Sequence, residues 1–180
     1  MRETCKERLS RRGIAKVLAA AVVLASASAS VGLAAPASAK QRKAPVFEPG
    51  IYLVTNAERG IGDLMSGWEA GPVRTSATRE VRNMNYFWEV APSNNGGFTI
   101  KNVGANAFAG LDEVRQGEQV RTGDKPVNWI IEPTEDKGFV IALPGVDLVW
   151  NADGGAVRAP VTLRPASGEA RQRWIFRSVE

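Results

Sequence analysis

Histidine is absent from the sequence, and the single cysteine, Cys5, lies close to the amino terminus. These absences exclude Ser-His-Asp and Cys-His catalytic groups, because both use a histidine as the general base. They also exclude zinc sites made of histidine and cysteine ligands, and any disulfide within the chain. Carboxylates remain as acid–base groups, but no pair of them stands out by its spacing. We therefore expect no enzyme activity, no metal site and no cofactor.

An excess of charge of one sign is also lacking beyond the first 39 residues. The chain has a formal net charge of +4, but six of its basic residues and only two of its acidic ones lie in 1–39, which leaves 17 of each sign in the remainder. A neutral domain has no electrostatic surface that would attract nucleic acid or anionic lipid. We therefore expect neither nucleic acid nor a membrane as a partner.

Residues 1–39 have the pattern of a secretory signal peptide. A basic stretch is followed by an apolar run at 17–35 and by small residues at Ala37 and Ala39. This pattern predicts cleavage before Lys40 and a secreted, extracellular protein. The apolar run is mostly Ala, Ser and Gly, which partition weakly into lipid, so export is favoured over a membrane anchor. Residues 10–16 resemble a twin-arginine motif, and both export routes remain open.

Beyond a polar linker at 40–47, the sequence repeats one pattern three times. Each copy opens with a glycine followed by β-forming residues, and closes with a tryptophan beside apolar neighbours. The opening runs are 50–56, 97–102 and 138–142, and the closing runs are 87–90, 128–131 and 173–176. Two further short runs lie within each copy, at 62–66 and 73–76, at 107–111 and 119–122, and at 147–150 and 161–164.

The repeat has a period of about forty residues, because Trp88, Trp129 and Trp174 are 41 and 45 residues apart. An all-strand repeat of this length is typical of β-propellers and β-trefoils. A propeller usually needs at least four blades, whereas three copies of four strands close into a β-trefoil and leave no free strand edge. We therefore predict an all-β fold, a β-trefoil of three four-stranded repeats over residues 48–180.

The tryptophans are expected to divide between core and surface. Trp88, Trp129 and Trp174 recur at equivalent positions between apolar residues, which predicts that they fill the interior. Trp150 also lies in an apolar run and is assigned to the core. Trp68 has no counterpart in the other copies, and it is the one aromatic residue that is a candidate for the surface.

Four segments resemble the mushroom β-trefoil serine-protease inhibitors. Residues 97–104 resemble the start of that family's second repeat, and residues 146–150 resemble a strand of its third. Residues 159–164 and 172–176 are similar to its final hairpin. The resemblance covers about residues 48–180 and implies a monomer that inhibits serine endopeptidases by inserting a surface loop into the protease active site.

The resemblance points to the loop of residues 165–172, which we call the closing loop. The family has a basic residue three positions before the final tryptophan, and Arg171 holds that position here. A trypsin-like specificity pocket ends in a carboxylate, so an exposed arginine fits it. The candidate protease-binding residues are Arg171 and its neighbours Glu169, Ala170 and Gln172. Arg82 and Arg115 are rival loop arginines.

The alternative function is carbohydrate binding by a ricin-B-like β-trefoil. Such lectins share the fold and a Gln-x-Trp closing motif, which this chain keeps only at residues 172–174. A lectin would use Trp68 or Asp153-Gly154 as sugar contacts, in shallow pockets with an aromatic face. A generic interaction domain without inhibitory activity is a further alternative.

Overall fold

The computed structural model describes residues 47–58, 64–65, 71–76, 83–154 and 158–179. The predicted signal peptide, most of the linker, Trp68 and Arg82 lie outside these ranges. Within them the chain forms twelve β-strands and two 3₁₀ helices of three residues each. None of the described helices is long and apolar enough to cross a membrane.

Every strand segment predicted from the sequence overlaps an observed strand. The strands are β1 Gly50–Asn56, β2 Leu64–Met65, β3 Arg74–Thr75, β4 Phe87–Pro92, β5 Phe98–Asn102, β6 Ala107–Gly110, β7 Arg121–Gly123, β8 Ile130–Pro133, β9 Phe139–Ala142, β10 Val149–Ala152, β11 Val161–Arg164 and β12 Trp174–Ser178. The 3₁₀ helices are Met84–Tyr86 before β4 and Ala170–Gln172 before β12. The strands form because β-branched and aromatic residues alternate with polar ones in short runs bounded by turn residues.

Ten strands form one curled antiparallel sheet in the order β11-β10-β9-β12-β1-β4-β5-β6-β7, with β8 paired to β9, while β2 and β3 form a separate hairpin. The first and last strands are neighbours, since β1 pairs with β12 from Tyr52↔Ser178 to Asn56↔Trp174. Isolated bridges between Pro72 and Arg121, Arg74 and Pro160, and Gln119 and Thr162 join the β2–β3, β6–β7 and β10–β11 hairpins. The sheet therefore curls on itself beneath three connected hairpins.

The core confirms the burial predicted for Trp88, Trp129, Trp150 and Trp174, all of which are fully buried. The indole N–H groups of the three closing tryptophans each donate to a backbone carbonyl of an inner strand. The distances are 2.9 Å from Trp88 to Leu64, 3.1 Å from Trp129 to Ala109 and 3.3 Å from Trp174 to Trp150. These bonds satisfy the polar atoms that burial of large aromatic rings would otherwise leave unpaired.

Phe47, the last residue of the predicted linker, packs against the domain. The structure buries it in the core. Its ring lies 4.8–5.3 Å, centroid to centroid, from the rings of Tyr52, Phe98, Phe139 and Phe176. A single aromatic residue ahead of the first strand has no periodic partner in sequence, so its burial could not be recognised from a pattern.

Candidate binding loop

The closing loop joins β11 to β12 and exposes five consecutive residues, 165–169. Its backbone there is irregular, and Gly168 has a φ of +72°, which favours glycine because a side chain would be strained. The chain then enters the 3₁₀ helix Ala170–Gln172 before β12 begins. The sequence predicted a hairpin loop over 165–172, and the structure shows that this loop ends with a helical turn.

Gln172 holds the closing loop from beneath. It is only 3% exposed, and its side-chain oxygen accepts hydrogen bonds from the backbone N–H and the hydroxyl of Ser167, at 2.7 and 3.1 Å. Its side-chain N–H donates to the carbonyl of Pro165 at 2.8 Å. The backbone N–H of Ala166 also donates to the Asp147 carboxylate at 3.4 Å. The sequence analysis grouped Gln172 with protease contacts, but its buried amide supports the loop.

Arg171 lies at the surface with 46% of its side chain exposed. Its Nε is 2.7 Å from a carboxylate oxygen of Glu169 and 3.6 Å from one of Glu58. Its backbone carbonyl accepts a 2.8 Å hydrogen bond from the side-chain amide of Asn56, which is fully buried. The arginine head therefore faces outward while its peptide group is tied to the core.

This backbone geometry limits what Arg171 can present to a partner. Substrates and substrate-like inhibitors offer a protease an extended segment whose carbonyl enters the oxyanion hole. The carbonyl of Arg171 is instead bonded to Asn56, and its backbone is helical. The guanidinium is available in this arrangement, whereas the peptide bond that follows it is not presented for cleavage.

Sequence reasoning did not find Asn56, although a signal was available. Asn56 and Asn102 occupy the last position of β1 and β5, the first strands of two successive copies, and both are fully buried. The side-chain amide of Asn56 donates to the carbonyl of Arg171, just before β12. That of Asn102 donates to the carbonyl of Asn85, just before β4, and both distances are 2.8 Å. The signal in the sequence is that each asparagine is the last residue of an opening run, 50–56 or 97–102.

The rival arginine Arg115 lies on a different loop, between β6 and β7, and is 63% exposed. Its guanidinium is paired with Glu113 at 2.9 Å and with Glu118 at 2.7 Å. The structure therefore does not bring Arg115 into the closing loop. Arg82, the other rival, lies outside the described residues.

Two grooves lie among the described residues. A groove of about 460 Å³ adjoins the closing loop, between the β8–β9 hairpin and the turn that precedes β10. A second, of about 330 Å³, lies in the β6–β7 hairpin and is lined by charged residues such as Asp112, Arg121, Asp124 and Lys125. Neither groove is lined by an aromatic ring.

Asp153, proposed from sequence as a sugar contact, is bonded to its own neighbours. One carboxylate oxygen accepts from the Asn151 amide at 2.7 Å and from Nε of Arg164 at 3.3 Å. The other accepts from the Thr162 hydroxyl and from Nη2 of Arg164, both at 2.7 Å. Burial raises the pKa of Asp153, but these hydrogen bonds and the charge of Arg164 outweigh burial, and the net effect lowers the pKa below its ordinary value.

Comparison with solved structures identifies the architecture. A ricin B-like lectin from Macrolepiota procera, in complex with lactose, superposes with a TM-score of 0.65 at 16% identity, over 75% of this chain and 99% of that one. The Rhizoctonia solani agglutinin superposes with a TM-score of 0.66 at 22% identity, over 76% of this chain and 100% of that one. The chain has the β-trefoil fold.

A proteinase inhibitor from Coprinopsis cinerea is also similar, with a TM-score of 0.58 at 16% identity, over 74% of this chain and 100% of that one. No protein-family model matches the sequence, and no curated protein matches it. The similar structures thus include both lectins and an inhibitor. At these identities they establish the fold, and the function must be argued from the side chains.

Proposed function

We propose that this protein is a secreted, non-catalytic inhibitor of serine endopeptidases that acts through its closing loop. In this proposal residues 1–39 are a signal peptide cleaved before Lys40, and the mature domain consists of three four-stranded repeats. The partner is a trypsin-like protease, and Arg171 is the residue that enters its specificity pocket. Glu169 and Ala170 flank it at the protease surface.

The proposal depends on one observation: the buried side-chain amide of Gln172 holds the exposed closing loop in place. Gln172 holds residues 165–167 through two hydrogen bonds to backbone groups and one to the Ser167 hydroxyl, so the loop is ordered before a partner arrives. A loop that is already ordered loses little conformational entropy on binding, and this raises affinity. A surface loop without such a role could remain mobile at no cost to the fold.

Arg171 can leave its own carboxylates for that of a protease at little cost. Its pairs with Glu169 and Glu58 are exposed, and exposed pairs contribute only about 0–1 kcal/mol. Once the arginine occupies a specificity pocket, truncating it would leave the pocket carboxylate buried and unpaired, which costs about 2–5 kcal/mol. Because the Arg171 carbonyl stays bonded to Asn56, the proposal also implies that the protease is blocked without cleaving the loop.

Carbohydrate binding is the competing function, and the similar lectin structures are its main support. Its chief structural feature is the charged groove in the β6–β7 hairpin, where Asp112 is exposed. Sugar sites commonly pair polar groups with an aromatic face, and the residues lining this groove include none. The Asp153 carboxylate, the other candidate, is bonded to protein donors on both oxygens.

The test is a titration of trypsin, chymotrypsin and subtilisin with the wild type and the Arg171→Ala variant. A loss of about 2–5 kcal/mol corresponds to a roughly 30- to 4,000-fold weaker inhibition constant for trypsin. The melting temperature should stay nearly constant, because the side chain is exposed. Mass spectrometry of the trypsin complex should find the bond after Arg171 intact.

Arg177→Ala on β12 is the matched control, because Arg177 is also exposed but lies on a strand of the barrel wall. It should leave inhibition of trypsin within twofold of the wild type. Inhibition constants for wild type and Arg171→Ala that agree within twofold would remove Arg171 from the site. A wild type that inhibits none of the three proteases but binds immobilised glycans would replace this function with carbohydrate binding.

A further inference from the structure

A second exposed loop, residues 111–118, lies between β6 and β7. Six consecutive residues, 112–117, are exposed. Val114 is 62% exposed and Arg115 is 63% exposed, so an apolar and a basic side chain stand together on this loop. We call residues 111–118 the hairpin loop.

Arg115 is fixed in position by a carboxylate that is itself buried. The side chain of Glu118 is only 8% exposed, and its carboxylate is 2.7 Å from Nη2 of Arg115. Burying a carboxylate is costly unless a positive charge compensates it. Here the compensating charge is that of the exposed Arg115, whose Nε also donates to the Glu113 carboxylate at 2.9 Å. The exposed guanidinium of Arg115 therefore lies between one buried and one exposed carboxylate.

The hairpin loop and the closing loop start from the same edge of the fold. The backbone N–H of Gly117 donates to the carbonyl of Leu163, and that of Leu163 donates to the carbonyl of Glu118, both at 2.8 Å. A Cβ at Gly117 would lie 4.0 Å from Nη1 of Arg164. Arg164 directly precedes Pro165, the first residue of the closing loop. One loop therefore ends beside the point where the other begins.

We propose that the hairpin loop and the closing loop form a single binding face, in which Val114 and Arg115 contact the same protease outside its specificity pocket. This inference rests on the proposed function and adds to it a second contact on the partner. The partner surface beside the catalytic cleft must then offer an apolar patch next to a carboxylate. Because the loops adjoin, one inhibitor binds one protease molecule.

The chemistry of Arg115 suits such a contact. Its Nε donates to Glu113 and its Nη2 lies in ion-pair contact with Glu118, while a guanidinium carries five N–H donors in total. The remaining donors can bind a partner carboxylate without breaking either internal pair. Because the side chain is already held, little rotamer entropy is lost when the partner binds. The Val114 side chain adds apolar surface that is removed from water when the complex forms.

The experiment measures binding of wild type, Arg115→Ala and Val114→Ser to trypsin, by surface plasmon resonance, with and without saturating benzamidine. Benzamidine fills the specificity pocket and so excludes Arg171 but not a contact outside the pocket. Each variant should weaken binding about three- to tenfold, the range expected for a fixed interface side chain. The same loss of affinity should be measured when benzamidine is present. Arg171→Ala, in contrast, should then bind trypsin as tightly as the wild type.

Val114→Ser keeps the test decisive if Arg115→Ala disturbs the loop, because Val114 takes no part in the ion pairs of Arg115. Ile51→Ser on β1, another exposed apolar residue, is the matched control and should not change binding. A wild type that inhibits trypsin, with both hairpin-loop variants binding trypsin within twofold of it, would overturn this inference and leave the proposed function standing. If Arg115→Ala weakens binding only when benzamidine is absent, Arg115 enters the specificity pocket and this inference is overturned too. A wild type that inhibits no protease would overturn both proposals.

Discussion

At the residue scale, the ionisation of Asp153 makes the stability of the folded state depend on pH. Its folded-state pKa lies below the ordinary value of 3.8 for an aspartic acid, because Arg164, Thr162 and Asn151 all bond its charged form. A carboxyl group with a lowered pKa stabilises the folded state at pH values above its unfolded-state pKa. That contribution is lost as the pH falls through the lower, folded-state pKa. The stability of the protein should therefore decline in acid below about pH 4.

Asp153→Asn should remove much of this contribution. The variant replaces charge-assisted hydrogen bonds and leaves Arg164 without its partner, so we expect a loss of about 1.5–3 kcal/mol in the free energy of unfolding at pH 7. Urea denaturation at pH 7 and pH 3 measures the change. The difference between variant and wild type should shrink at pH 3. A difference equal at both pH values, or one matched by the exposed control Asp112→Asn, would contradict this role for the Asp153 charge.

At the scale of the element, the closing loop shows which features a repeat pattern can predict. The strands on either side were predicted because alternation is visible among neighbouring residues and the tryptophans recur at a regular spacing along the sequence. The anchoring of Arg171, within the 3₁₀ helix Ala170–Gln172, depends instead on Asn56, which lies 115 residues away in sequence. The inward position of Gln172 was likewise hidden, because one glutamine in a polar loop has no periodicity. The loop could be located from sequence, whereas its conformation required the long-range contacts.

Gln172→Ala should separate order in the closing loop from the chemistry of Arg171. The variant removes the three side-chain hydrogen bonds that hold residues 165–167, which should cost about 1–3 kcal/mol of stability. Residues 165–169 should exchange their amide hydrogens faster, and trypsin inhibition should weaken about tenfold because the loop must then be ordered on binding. Hydrogen exchange and inhibition constants measure the two effects, with Asn95→Ala in the β4–β5 turn as control. Faster exchange with unchanged inhibition would mean that rigidity of the loop does not matter for binding.

At the scale of the whole molecule, the chain closes on itself at both ends. β1 pairs with β12, so the first and last strands form part of the same wall. Ahead of β1, Phe47 packs among the rings of Tyr52, Phe98, Phe139 and Phe176, which come from β1, β5, β9 and β12. These rings belong to the opening or closing strands of the repeats. One residue before the first strand thus joins segments from across the whole sequence, and the stable domain must begin no later than Phe47.

Stability should therefore fall in one step as the amino terminus is shortened. Chains that begin at Lys40 and at Val46 both keep Phe47, and their free energies of unfolding should agree. A chain that begins at Glu48 should lose about 3 kcal/mol, at the lower end of the cost of deleting a buried phenylalanine, because water can reach a cavity at the chain end. Phe47→Ala in the Lys40 chain should reproduce that loss, as measured by urea denaturation. Trypsin inhibition below the unfolding transition should stay the same, since the rings that contact Phe47 include none from the closing loop. A gradual loss of stability across residues 40–46 would instead mean that the linker itself contributes to the fold.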